Sequence, residues 1–81
     1  MAKLMLVDDS KLVRKKLTDI LTKAGHSIVC ECERGDDALS AYRTYKPDIV
    51  TMDINMPGMN GIETTAEIRK NYPDAKIIIV S

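Results

Sequence analysis

The sequence predicts an α/β domain built on a parallel sheet, in the order β-α-β-α-β-α-β. Three observations predict it. Short apolar runs that suit buried strands alternate with stretches of helical periodicity. Each run ends at a turn signal or an acid, so the connections are short. The longest aliphatic runs, residues 4–7 and 77–80, are four residues long, which suits strands and excludes a membrane-spanning helix of about 18 or more apolar residues. Strands alternating with helices of this length imply parallel pairing through right-handed crossovers.

The first strand is placed at residues 3–7, stopped by Asp8-Asp9. Ser10 stands where an N-cap would open a helix, and Val13, Leu17, Ile20, Leu21 and Ala24 follow one helical face until Gly25 closes it. Residues 27–32 alternate, with Ile28, Cys30 and Cys32 on one side, as in a half-buried or edge strand. A turn at Arg34-Gly35 leads to a second helix over 36–45, with Ala38, Tyr42 and Tyr45 on one face, broken by Pro47. Residues 48–53 form the third strand, and 54–61 are a loop dense in turn formers. A third helix over 62–71, with Thr65, Ile68 and Tyr72 along one side, is stopped by Pro73-Asp74. Residues 76–80 form the fourth strand, apolar after its first residue.

Composition bounds the function. Eighty-one residues, residues 1–81, allow one domain. At 44% hydrophobic and 30% charged, the chain is too apolar for a disordered tail and too polar for a membrane protein. The N-terminus meets two acids before a secretory apolar region could develop, so a soluble cytoplasmic domain is expected. Twelve basic residues balance twelve acidic ones, which argues against nucleic acid as the main partner. The basic cluster Lys11, Arg14, Lys15 and Lys16 reads as a solvated helix face. Cys30 and Cys32 are too close along a strand for easy disulfide geometry and too few for a structural zinc site, so they read as buried free thiols. With no Phe or Trp, the core must come from Ile, Leu, Val, Met and Ala, among them Met5 and Met52, with Met56 and Met59 in the loop packing.

The chemistry lies in the acids at the strand ends. Asp8 and Asp9 follow the first strand, Asp53 ends the third, and Ser81 follows the fourth. In open parallel sheets ligands bind beyond the carboxyl ends of the strands. If the first and third strands are neighbours, three carboxylates converge there, repel one another and raise each other's pKa. A divalent cation relieves that repulsion, and an all-oxygen site with few protein ligands suits Mg²⁺. Any one of these Asp residues alone would fit a turn or an N-cap. Their joint placement is the signal. Glu31, Glu33, Asp36 and Asp37 read as solvated charges or helix-dipole partners, and His26 as a surface residue.

The segments Val7-Asp8-Asp9-Ser10, Asp48 to Asp53, and Met56-Pro57-Gly58-Met59-Asn60-Gly61 resemble the signatures of bacterial response-regulator receiver domains. They occur in the family's order across the whole chain, and the chain looks most like the chemotaxis, single-domain regulators. The resemblance implies a flavodoxin-like, doubly wound sheet with strand order 2-1-3-4 over the part present. It implies that Asp53 is the phosphoacceptor, taking a phosphoryl group from a sensor histidine kinase or a small phosphodonor. Mg²⁺ would be held by Asp9, Asp53 and the backbone carbonyl of Asn55, with Asp8 acting largely through water. Ser81 would supply the hydroxyl that senses the phosphoryl group, and Pro57 and Gly61 would shape the loop. Arg14 would lie on the surface presented to kinases. Such a domain is a regulator, with self-catalysed phosphorylation and dephosphorylation at most.

The family pattern continues beyond residue 81 with a helix, a strand, a further helix and a charge-stabilising lysine. The expectation is therefore a receiver lacking its C-terminal third and weakened as a phosphoacceptor. Strand 76–81 would be an apolar edge inviting self-association or a complementing chain. Two functional classes follow: a Mg²⁺-dependent phosphoaccepting signalling domain, and a receiver-derived assembly module without phosphotransfer. A haloacid-dehalogenase-type phosphatase ranks last, because it prefers Asp-X-Asp where this chain has adjacent Asp8-Asp9.

Overall fold

The computed structural model describes residues 1–80. The chain runs β1 (Lys3–Val7), α1 (Lys11–Lys23), β2 (Ser27–Cys32), a 3-10 turn (Gly35–Asp37) leading into α2 (Ala38–Tyr45), β3 (Ile49–Asp53), α3 (Gly61–Asn71) and β4 (Ile77–Val80). The four strands are parallel in the order β2-β1-β3-β4. This is the flavodoxin-like arrangement that the family resemblance implied. With right-handed crossovers, the step from β1 out to β2 puts α1 on one face and the return steps put α2 and α3 on the other. Accordingly α2 packs against α3, while α1 packs on β2.

β1 is central and buried along Leu4 to Val7, as a strand covered on both faces must be. Met5 and Val7 join Val50, Met52, Ala38 and Ile68 in the main core, under α2 and α3. By the strand period of two, Leu4 and Leu6 turn to the α1 side, where they are also buried. Tyr42 and Tyr72 close the lower end of this layer with ring centroids 4.9 Å apart.

The helix ends follow local chemistry. The Ser10 side chain accepts the Val13 N–H at 3.2 Å, and Gly25 leaves α1 with φ 92°. α3 opens with a capping box: Asn60 accepts the Glu63 N–H at 2.9 Å, and Glu63 accepts the Asn60 N–H at 3.1 Å. The Asn-x-x-Glu spacing carries that signal, and α3 accordingly starts at Gly61, one residue before the expected 62.

Several expectations are corrected. The second helix begins with a 3-10 turn, not at residue 36, and Tyr45 of its predicted apolar face is exposed. Thr64, not Thr65, is the fully buried threonine of α3. Much of the predicted apolar face of α1 is uncovered, Ile20 being 63% exposed. Cys32 is buried but Cys30 only half-buried; both are free, and burial beside Cys30 pushes the Cys32 thiol up to about 12, which keeps it protonated and unreactive. His26 is half-buried and accepts the Ala2 N–H at 3.0 Å.

β4 is the outer strand of the described sheet. Ile78 and Ile79 are both exposed. Among the described residues no helix is long and apolar enough to cross a membrane.

Candidate functional site

β1 and β3 lie side by side with Val7 opposite Met52, so their carboxyl ends finish level with each other. The next residues of each chain segment therefore share one rim. Asp8, Asp9 and Asp53 each offer a carboxylate oxygen there, and these oxygens lie within 4.8 Å of one another. Asp8 is buried, Asp53 half-buried and Asp9 exposed, so the cluster opens to solvent on one side.

Each acid is held differently. The N–H of Asp8 donates to the Cys32 carbonyl at 3.0 Å, and its Oδ1 accepts the Ser10 N–H at 2.8 Å. Asp53 ends β3 with its Oδ1 3.4 Å from the Asn55 N–H, a long contact. Partial burial raises the Asp53 pKa, the charge of Asp8 adds to the rise, and Asp9 contributes less; the Asn55 N–H works the other way. At Asp53 the repulsion expected from the sequence adds to the larger effect of burial.

Gly61 sets how closely α3 approaches this rim. A Cβ there would collide with the backbone carbonyl of Asp53, while the Gly61 N–H donates to the Ile54 carbonyl at 2.8 Å. Only a residue without a side chain lets the helix start against the strand end. Pro57 lies exposed in the intervening loop.

The chemistry of the donor set fits Mg²⁺: three carboxylates supply oxygen alone, and no side-chain cation is hydrogen-bonded to any of their oxygens among the described residues. Asp8, Asp9 and Asp53 are brought together, and Asn55 lies two residues beyond Asp53 with its backbone in the same loop. Ser81 lies outside the described residues.

Arg14 corrects an expectation. It is not part of a solvated basic face: its side chain is 7% exposed and forms ion pairs with Glu31 at 3.0 Å and Glu33 at 3.4 Å. Those two glutamates are accordingly partners of a buried cation. Asp36 is also engaged, accepting the Met59 N–H at 3.1 Å and pairing with Arg34 at 3.0 Å, and these contacts lower its pKa, Arg34 foremost. The Arg14 ion pairs and the Asp36–Met59 bond could not be read locally, because Arg14 lies 17 residues from Glu31 and Asp36 lies 23 from Met59, whereas the Arg34–Asp36 pair spans only two residues.

Comparison with known proteins agrees with the geometry. Residues 4–81 match the response regulator receiver domain model. The chain is 49% identical over 79 residues to the chemotaxis protein CheY of Thermotoga maritima, covering 98% of this chain and 66% of that protein. It is 42% identical over 81 residues to CheY of Listeria monocytogenes, covering all of this chain and 68% of that one. The chain thus spans about two thirds of the length of these curated relatives. The crystal structure of the response regulator TrrA of Thermotoga maritima, in complex with Mg²⁺ and BeF, superposes with a TM-score of 0.91 at 39% identity, over 98% of this chain and 68% of that one.

Proposed function

The chain belongs to the response regulator receiver domain family, and on that premise we propose that it accepts a phosphoryl group on Asp53 from the phosphohistidine of a sensor kinase. A carboxylate oxygen of Asp53 attacks phosphorus, the P–N bond to the imidazole breaks, and the departing nitrogen keeps the electron pair. The product is an acyl phosphate on Asp53. The observation that carries this reading is the convergence of Asp8, Asp9 and Asp53 at the level ends of β1 and β3.

Asp53 is the nucleophile of choice among the three. It ends β3, and burial together with Asp8 makes its oxygen more basic than that of an ordinary surface aspartate. Asp8 has one oxygen committed to Ser10. Asp9, Asp53 and the Asn55 carbonyl would hold Mg²⁺, with Asp8 acting through water. When bound, Mg²⁺ offsets the negative charge of the acids and of the incoming phosphoryl group, so that an anion can attack an anion. Gly61 holds the start of α3 against Asp53, which fixes the nucleophile at the rim. Ser81 would answer the phosphoryl group with its hydroxyl and so couple modification to a change in shape. The domain is a regulator that catalyses at most its own phosphorylation and dephosphorylation, and it works in the cytoplasm beside its kinase.

Incubation with acetyl phosphate and Mg²⁺, followed by intact-mass measurement, tests this. One phosphoryl adduct is expected on the wild-type chain, absent from Asp53→Asn and absent when a chelator replaces Mg²⁺. A folded wild-type chain that gains no adduct contradicts the proposal.

The exposed Ile78 and Ile79 favour a second reading, in which the domain assembles through β4 with a copy of itself or a complementing chain. An unmodified chain that forms a discrete oligomer would favour this reading over phosphoryl transfer.

A further inference from the structure

Arg14 lies in the first turn of α1, and its side chain is withdrawn from water. A buried guanidinium is costly unless its donors are met, and here three acceptors meet them. Nε donates to Glu31 Oε1 at 3.0 Å and Nη2 to Glu33 Oε1 at 3.4 Å. Nη1 donates to the backbone carbonyl of Asp8 at 2.6 Å, and that bond is buried. The carbonyl belongs to the peptide joining Asp8 to Asp9. Its orientation sets the direction in which Asp9 leaves the strand, and hence the angle between the two carboxylates.

Asp9 has no other anchor in view. It is exposed, and among the described residues its side chain makes no hydrogen bond. The Asp8 residue, in contrast, is fixed at both ends: its N–H by the Cys32 carbonyl and its C=O by Arg14. The two glutamates hold the guanidinium from the far side. β2, α1 and the Asp8-Asp9 corner are therefore tied through one side chain.

We propose that Arg14 is a positioning residue for the cation site, presetting the Asp8-Asp9 peptide so that both carboxylates face Asp53 before a divalent cation arrives. This inference rests on the cation-site reading given above. Outer-shell partners that orient metal ligands typically alter affinity by about 10- to 100-fold when removed. Arg14 acts through a ligand backbone and belongs to that class of effect.

The test measures Mg²⁺ affinity by calorimetry and, in the absence of metal, the amide chemical shifts of Asp9 and Ser10. Three variants are compared with the wild-type chain. Arg14→Met removes the guanidinium. Arg14→Lys keeps a charge near the glutamates but cannot serve three acceptors in a fixed fork. The double variant Glu31→Gln with Glu33→Gln weakens the ion pairs, yet its amide oxygens still accept from Arg14. The expected result is that both Arg14 variants bind Mg²⁺ roughly tenfold or more weakly, with displaced Asp9 and Ser10 amides. The double glutamine variant keeps an oxygen acceptor at each position, so it should melt earlier yet lose less affinity than either Arg14 variant. Should Arg14→Met fail to fold, the lysine variant and the double variant still decide the matter. Wild-type affinity in the folded Arg14→Lys chain overturns the inference, as does an affinity that merely follows thermal stability across all variants. A wild-type chain that binds no Mg²⁺ instead overturns the cation-site reading itself.

Discussion

The corner after β1 and the strand β4 lie in one sheet but are built on opposite terms. At the corner, charge is dense and Asp8 is tightly held, while the Asp9 carboxylate makes no hydrogen bond among the described residues. The Asp8 N–H, carbonyl and Oδ1 are all bonded, and a buried Arg14 is met by three acceptors. At β4 the side chains are wholly aliphatic, and Ile78 and Ile79 lie open to solvent. The corner belongs to β1, which is paired on both sides; among the described residues β4 is paired only with β3. A strand fixed from two sides can hold charged groups at set distances, and the repulsion between them becomes usable chemistry. Among the described residues β4 is paired on one side and two of its isoleucines are exposed, the feature on which the proposed second reading rests.

The largest effect should come from changing how α3 meets the rim. Gly61→Ala forces a methyl group onto the backbone carbonyl of Asp53, which cannot swing aside as a side chain could, and should destabilise the fold by about 1–3 kcal/mol, as overpacking does. Denaturant unfolding measures this; an unchanged midpoint would mean that the rim is not tightly set. Mg²⁺ affinity should fall in the same variant.

A smaller effect concerns the charge of Asp53. Its pKa is raised in the fold, so the folded chain binds a proton more readily than the unfolded chain above the ordinary value of 3.8. Stability therefore falls as pH rises from that value through the raised folded one, and at neutral pH the full penalty is present. Asp53→Asn lacks the penalty. It should melt at a higher temperature than wild type at pH 7 without Mg²⁺, the gap closing below pH 3.8. Thermal melts across pH check the sign, and a less stable Asp53→Asn at neutral pH would show that the carboxylate is held favourably after all.

The smallest effect on the fold itself should come from β4. Ile78→Lys places a charge on an already exposed position and should leave the monomer's stability nearly unchanged. Its effect belongs to association: light scattering should find wild type growing in mass with concentration, and the lysine variant remaining a monomer. A wild-type chain that stays monomeric at high concentration would remove the contrast between the two regions.

The fold was legible because its signals are local. A short apolar run stopped by paired acids, a helical stripe closed by Gly25 and a Pro47 stop each speak within a few residues. The acid trio was legible for a related reason: the ends of parallel strands are where ligands gather, and apolar runs show where strands end. Arg14 was misread because its burial depends on Glu31 and Glu33, which only the β1–β2 pairing brings beside it. Beside Lys11, Lys15 and Lys16 it looks like one more surface charge. Asp36 escaped for the same reason, its partner Met59 lying across the sheet end. The exposure of Ile20 was hidden by a good helical stripe, since periodicity reports which face wants cover and not whether cover is there.

The central claim is that Asp8, Asp9 and Asp53, carried by two neighbouring strands, form a single divalent-cation site. Titration of the isotope-labelled wild-type chain with Mg²⁺, followed by amide chemical shifts, tests it most directly. The account predicts saturable shifts at Asp9, Ser10 and residues 53–55, all fitting one binding constant and all lost in Asp53→Asn. Shifts that grow linearly without saturation, or that centre on Glu31, Glu33 and Asp36 instead, would contradict it.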